Sequence, residues 1–313
     1  MAEVLAIAFM GGVAAAANES GWSLLLFPEL AALSHDVLTR PRGKWASQPI
    51  RLIATPTLTA TAGLIVTRHA HYGALPVLAV VLLSLGVIRF LRSSIGPAIS
   101  AGVLPIVLDE RHWMYPVAIC LGLAGLAALS LILQRWDFGM DALSGQTTPE
   151  SIDEVLETSS HDRFWLLHLL LFVVCLAFAG QWTGLRFILF PPLVVMAYEI
   201  FGHPEVPGWM KRPALFPIVC FLTASTGLLA CRYLGGGALN VIATVIVSIV
   251  LLRAFQVHMP PALAVGLLPF VMKAPDFWYP ISVAIGTMTL TIWFLGRASL
   301  QRSVQIVDAG KRV

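Results

Sequence analysis

Charged residues are scarce in this sequence. Asp, Glu, Lys and Arg make up 12% of its 313 residues, whereas soluble domains carry about 25%. Hydrophobic residues reach 58%, and the mean hydropathy is +0.82. A chain with so few polar groups cannot cover a water-exposed surface. The composition therefore predicts an integral membrane protein whose main partner is the lipid bilayer.

The sequence also lacks the usual motifs of enzymes and metal sites. Its four cysteines lie apart in apolar stretches, and its eight histidines are scattered without metal-ligand spacing. A P-loop, an HExxH motif and a GxSxG motif are all missing from the printed sequence. We therefore expect no enzymatic activity, no metal and no cofactor.

The basic residues form no single patch. The net charge is only +3, and Lys and Arg are spread over many short loops, which argues against nucleic-acid binding. At the start of the chain, Glu3 stands where a signal peptide would carry a basic residue. We therefore expect the first apolar stretch to be a membrane helix.

A proline-framed apolar pattern occurs twice. Residues 94–105 read SIGPAISAGVLP, and residues 258–269 read HMPPALAVGLLP. Two prolines, a glycine and a leucine of the first stretch recur 164 residues later. Upstream the offset becomes 163, where LLFPEL at 25–30 matches ILFPPL at 188–193. This pattern indicates an internal duplication. Further matches at offset 164 start from Pro49, Thr59, Ala60, Gly63, Arg68, Arg89 and Tyr115.

Each copy contains six apolar segments. A membrane helix needs about 20 residues, and the third, fourth and sixth segments reach that range. The fifth is shorter and framed by prolines, and the second has proline in its middle, so we expect both to be half or re-entrant helices. The fold class is therefore an all-α polytopic transmembrane helical bundle built from two repeats. The segments lie at 4–18, 22–38, 50–67, 73–91, 95–108 and 113–134, and at 164–180, 184–202, 213–232, 236–253, 259–272 and 277–296.

The domain organisation follows from these segments. We expect a membrane repeat at 1–134, an acidic linker at 135–163, a second membrane repeat at 164–300 and a basic tail at 301–313. The positive-inside rule places the N-terminus, linker and C-terminus in the cytoplasm, with a bacterial inner membrane as the expected location. An even number of crossings per copy favours parallel repeats, and the short segments leave an inverted pair open.

Broken helices in transporters place their N-termini at a substrate near the membrane midplane. The positive end of the helix dipole and its free N–H groups favour an anion there. The alternative is that the prolines only kink packed helices. The candidate substrate-binding residues are Ser94, Ile95, Gly96, Pro97, His258, Met259, Pro260 and Pro261.

Four charged residues complete the candidate site. Arg186 adjoins the second broken segment of the second copy and is either an anion ligand or an interfacial residue. Glu29 either pairs with Arg186, carries a coupling proton or simply lies near a helix end. Arg89 and Arg253 end corresponding helices and serve as topology anchors or as a vestibule that gathers anions.

The proline-framed stretches resemble the HPP family of integral membrane proteins, which is named for a His-Pro-Pro motif. IGPAISAGVLP and MPPALAVGLLP look like two diverged copies of that motif, with Ile95 and Met259 at the histidine position. LLLFPELAALSHDVL and SQPIRLI are similar to the family's upstream segments. The resemblance implies a small inorganic anion such as nitrite as cargo.

Two functions therefore stand as hypotheses. The first is a transporter of a small inorganic anion that binds near mid-membrane between the repeats. The alternative is a non-transporting membrane scaffold or sensor whose acidic linker, 135–163, docks a partner. The sequence leaves the oligomeric state open.

Overall fold

The computed structural model describes residues 2–41, 43–135, 164–202, 211–257 and 259–310. All regular structure in these ranges is helical. Six of the described helices are long and apolar enough to cross a membrane. The prediction of a helical, multi-pass membrane protein is therefore confirmed. The six spans are Ala2–Ser20, Pro49–His69, Met114–Arg135, Trp165–Thr183, Leu215–Leu234 and Trp278–Arg297.

The described part of the chain forms twelve α-helices, six on each side of the linker region. In the first half they are α1 Ala2–Ser20, α2 Glu29–Thr39, α3 Pro49–His69, α4 Ala74–Phe90, α5 Pro97–Leu108 and α6 Met114–Arg135. In the second half they are α7 Trp165–Thr183, α8 Pro191–Gly202, α9 Leu215–Leu229, α10 Ala238–Ala254, α11 Pro261–Leu267 and α12 Trp278–Gly310. Single 3₁₀ turns precede α2 and α8, a π-helical turn extends α9 to Leu234, and a 3₁₀ turn follows α11.

Prolines set the starts of the short helices. α2 begins directly after Pro28, α8 begins at Pro191, and α5 and α11 have Pro97 and Pro261 in their first turn. Proline suits this position because its φ is already helical and the first N–H groups have no partner within the helix. The predicted breaks in the second and fifth segments of each copy therefore coincide with helix starts.

The other boundaries differ little from the expectation. Most of the predicted linker, 136–163, lies outside the described residues. The predicted tail, 301–313, overlaps the last turns of α12, which continues to Gly310.

One end of the bundle, which we call the N-terminal face, collects the start of α1 and the ends of α2, α6 and α10. Glu3 in α1 is 2.5 Å from the Arg253 guanidinium at the end of α10. The Gln134 side chain at the end of α6 donates a 2.8 Å hydrogen bond to the Pro41 carbonyl after α2. These contacts fix the direction of each helix relative to this face.

The other end, the opposite face, collects the start of α4 and the end of α7. The Ala74 amide donates a 3.3 Å hydrogen bond to the Gln181 side chain there. α4 starts at this face, and α10 ends at the N-terminal face, so α4 and α10 run in the same direction. Each carries a buried serine and a positive φ just after its end, at Arg92 and Gln256.

The tightest helix crossing of each half involves two glycines. A β-carbon at Gly63 in α3 would overlap the carbonyl of Gly102 in α5, and Gly227 in α9 stands in the same relation to Gly266 in α11. Small residues of this kind let membrane helices approach backbone to backbone.

A tyrosine ties each fifth helix to the sixth. The Tyr115 hydroxyl donates a 2.7 Å hydrogen bond to the Ala101 carbonyl. The Tyr279 hydroxyl donates a 2.6 Å bond to the Val265 carbonyl. The donors and acceptors of these two bonds are each 164 residues apart.

α5 starts inside the protein. Thr59, midway along the 21-residue α3, donates a 2.6 Å hydrogen bond to Ala98 in the first turn of α5. Four residues further on, Gly63 meets Gly102. The two helices therefore run in the same direction, and α5 begins level with the middle of α3.

The short helices pack across the two halves. α5 lies on α8, and α11 lies on α2. In the same way α1 packs on α10, and α4 packs on α7. The buried core is therefore continuous between the halves.

Candidate functional site

The first group of candidate residues, 94–97, links α4 to α5 in the interior. Ile95, Gly96 and Pro97 are buried. The Ser94 carbonyl accepts a 3.2 Å hydrogen bond from the Trp45 indole, and the Ser94 hydroxyl is buried without a hydrogen-bond partner among the described residues. This segment therefore does not face lipid.

The first amides of α5 are already occupied, which corrects the expectation of free N–H groups. Ala98 donates to the Ile95 carbonyl at 3.1 Å, and Ile99 donates to the Gly96 carbonyl at 2.9 Å. Pro97 has no N–H to offer. An anion beside this helix start would meet the positive end of its dipole without unused backbone donors.

The second group of candidate residues heads α11. Met259 is buried, Pro260 and Pro261 are partly buried, and His258 lies outside the described residues. α11 has only seven residues, so its dipole is small, and we assign it no anion site. Residues 94–97 and 259–261 do not form one paired site, because α5 and α11 each pack mainly on the second short helix of the other half.

Arg186 is exposed on the opposite face, where its guanidinium stacks 5.7 Å from the centre of the Tyr72 ring. Burial raises the pKa of Tyr72 to about 12, with Arg186 acting in the opposite direction. The phenol therefore stays neutral beneath the cation. This position excludes the suggested Arg186–Glu29 ion pair, since Glu29 is buried in the interior.

The opposite face gathers further cations beside Arg186. The Asp109 carboxylate accepts a 2.9 Å hydrogen bond from Arg111, which holds the pKa of Asp109 below its usual range. The charges of Arg186 and Lys273 act on Asp109 in the same direction. This cluster suits the attraction of anions to the surface.

Arg89 and Arg253 end α4 and α10 and are exposed on the N-terminal face. Arg253 pairs with Glu3, whose carboxylate also lies 3.7 Å from the His35 ring. These cations therefore lie at the entrance side of the bundle and not beside the broken helices.

Glu29 is the most deeply buried carboxylate among the described residues, with 2% of its surface exposed. It starts α2, and the Ser100 hydroxyl of α5 donates a hydrogen bond to its Oε1. Its Oε2 is buried and has no hydrogen-bond partner within the described ranges. A buried ionisable group of this kind in a membrane protein costs several kcal/mol and usually marks a functional site.

Two residues that the sequence reasoning did not assign also lie here. Ser100 contacts Glu29, and Glu199 in α8 places its Oε1 4.0 Å from where a β-carbon on Gly96 would stand. One signal was present in the sequence. At the matching positions of the second copy, Glu29 and Ser100 are replaced by Pro192 and Ala264, so the polar pair is special to the first copy.

The described residues contain no group of three or more His, Cys, Asp or Glu side chains placed to hold a metal ion. No family model, curated protein or solved structure matches the chain. The resemblance to the HPP family therefore remains a prediction carried by the motifs alone.

Proposed function

We propose that this protein is a transporter of a small inorganic anion, with its binding site among the short helices between the two halves. Nitrite is the specific candidate, following the HPP-like motifs. Membrane transporters commonly place broken helices and their substrate site at the interface between repeats.

One observation carries this proposal. α2 and α5 begin in the interior with the buried Glu29–Ser100 contact between them. Irregular backbone at membrane depth is tolerated where it is buried in protein or lines a cavity. A packing role for the prolines alone would not account for a carboxylate at their junction.

The surface charges fit an anion. Arg111, Arg186 and Lys273 surround Asp109 on the opposite face and raise the local concentration of anions. The N-terminal face carries more basic residues, so the positive-inside rule makes it the cytoplasmic face. The cation cluster then lies outside the cell.

The paired contacts support a duplicated fold with parallel repeats. The glycine crossings and the tyrosine hydrogen bonds recur 164 residues apart. α4 and α10 also point in the same direction, as parallel repeats require and inverted repeats do not.

Flux measurements on purified protein in liposomes test the proposal. Nitrite, nitrate, formate and chloride would be compared in the wild type, in Ser100→Ala and in Ser248→Ala. Ser248 is a matched control because it is equally buried and its hydroxyl has no hydrogen-bond partner among the described residues.

We expect wild-type nitrite flux well above protein-free liposomes. Ser100→Ala should lower it about tenfold, since a lost hydrogen bond to a charged group costs about 1.5–3 kcal/mol, and Ser248→Ala should leave it unchanged. Equal loss in both serine variants would contradict the assigned site. No flux of any anion by folded protein would favour a scaffold or sensor instead.

A further inference from the structure

We propose that Glu29 is the proton-binding group of this transporter and that Glu199 passes protons to it from the N-terminal face. The proposal rests on the anion-transport function and specifies its coupling. Its main support is the buried Glu29 Oε2, which has no hydrogen-bond partner in the described structure.

The duplicated sequence supplies an internal comparison. The positions matching Glu29 and Ser100 hold Pro192 and Ala264, and the second half still forms the corresponding short helices. The fold therefore does not need a polar pair at this place. A buried carboxylate that folding does not require, and that costs free energy, is best explained by function.

Glu199 and Glu29 lie along one side of α5. Glu199 approaches Gly96, and Glu29 bonds Ser100, four residues later. Four residues span one helical turn, or about 6 Å along the axis. Glu199 belongs to α8, near the end of that helix, and is only partly buried.

Few other charged groups face Glu29. α5 and α11, which pack on α2, contain no titratable residue in their bounds. Neither Glu29 nor Glu199 has an ion-pair partner among the described residues. The titratable or charged groups on α2 and on the other helices packed against it are His35 and Asp36 on α2, Glu3 and Glu19 on α1, and Tyr115, Cys120 and Arg135 on α6. Those on α8 and on the helices packed against it are Tyr198 on α8, His168 and Cys175 on α7, and Tyr279 and Arg297 on α12.

The charge balance of a cycle follows from these groups. A proton from water at the N-terminal face moves to the Glu199 carboxylate and then to Glu29 Oε2, which becomes a neutral carboxyl that can donate a hydrogen bond. The anion binds beside the neutral carboxyl. One proton and one anion then cross together, so no net charge moves through the low-dielectric interior.

The test compares two modes of transport in proteoliposomes that contain nitrite and a trapped pH indicator. In the first mode, a pH gradient drives nitrite uptake. In the second, labelled nitrite exchanges with unlabelled nitrite at equal pH. The wild type would be compared with Glu29→Gln, Glu199→Gln and Glu3→Gln, the last being a carboxylate on the N-terminal face outside the proposed path.

We expect a pH gradient to drive wild-type nitrite uptake together with protons. Glu29→Gln should lose this coupled uptake by more than tenfold and keep measurable exchange. Glu199→Gln should slow coupled uptake severalfold without changing the proton-to-nitrite ratio, and Glu3→Gln should match the wild type. In infrared difference spectra, nitrite should produce a protonated-carboxyl band that Glu29→Gln lacks.

The possible failures are distinguishable. Wild-type nitrite flux that ignores the pH gradient, or coupled uptake retained in Glu29→Gln, would overturn the proton role and leave anion transport standing. Absence of nitrite flux and of the carboxyl band in the wild type would overturn both.

Discussion

At the scale of single residues, the two fifth helices are held by matched hydrogen bonds. Tyr115 and Tyr279 are fully buried, and each donates to a backbone carbonyl, of Ala101 and Val265 respectively. A buried carbonyl that loses its donor bears the cost of desolvation. These tyrosines therefore stabilise the positions at which α5 and α11 meet the sixth helices.

We expect Tyr115→Phe and Tyr279→Phe each to lower the free energy of unfolding by about 1–3 kcal/mol, because each leaves a buried carbonyl without its partner. Thermal unfolding in detergent, followed by tryptophan fluorescence, measures the effect. Tyr233→Phe is the control, since that side chain is exposed. A loss in only one of the two buried positions would contradict the structural equivalence of the halves.

The ion pair between Glu3 and Arg253 is expected to contribute much less. Arg253 is 70% exposed, and exposed pairs contribute about 0–1 kcal/mol. Glu3→Gln should therefore change the unfolding temperature only slightly, and addition of salt should reduce even that difference. A loss comparable to that of Tyr115→Phe would show that the pair is shielded from solvent.

At the scale of helices, the crossing of α3 with α5 depends on glycine. A methyl group at Gly63 would overlap the Gly102 carbonyl, whereas a methyl group at Gly86 in α4 would meet open space. The first crossing therefore has no room for a side chain, and the second position does.

We expect Gly63→Ala to destabilise the protein by about 1–3 kcal/mol through overpacking. Gly86→Ala should be neutral or slightly stabilising, since alanine favours a helix by up to about 1 kcal/mol. Unfolding temperatures of the purified variants in detergent give the comparison. Equal behaviour of the two variants would contradict close backbone contact at Gly63.

The helix starts were predictable from sequence, because proline acts locally. Pro28, Pro97, Pro191 and Pro261 mark the starts of the four short helices, and the 164-residue offset identifies them as equivalent. The site was only partly predictable. Glu29 was identified as a candidate, but its contact spans 71 residues to Ser100 and depends on helix packing.

Arg186 shows the limit of local reasoning more clearly. It adjoins a broken segment in sequence, and this favoured a role at the anion site. The 3₁₀ turn at Arg186–Leu189 instead presents the guanidinium at the opposite face, on the Tyr72 ring. The direction of a side chain in such a turn is set by its neighbours in space and not by hydropathy.

At the scale of the whole molecule, the two halves form one body with the short helices at their interface. The directions of α4 and α10 favour parallel repeats, and the basic residues favour a cytoplasmic N-terminal face. Both are properties of the protein in its membrane, so chemical labelling from each side tests them directly.

We expect single cysteines at Ser47 and Lys211, in a background without the natural cysteines, to react with a membrane-impermeant reagent from the cytoplasmic side. Cysteines at His112 and Asp276 should react from the outside. All four positions are exposed in the structure. Labelling of Ser47→Cys and Lys211→Cys from different sides would contradict parallel repeats.

The central claim is that the protein moves a small anion together with a proton. The most direct measurement is nitrite accumulation in proteoliposomes with an alkaline interior, with the membrane voltage held at zero. We predict accumulation above the outside concentration, accompanied by acidification of the interior. Nitrite that only equilibrates, with no movement of protons, or that does not enter at all, would contradict the account.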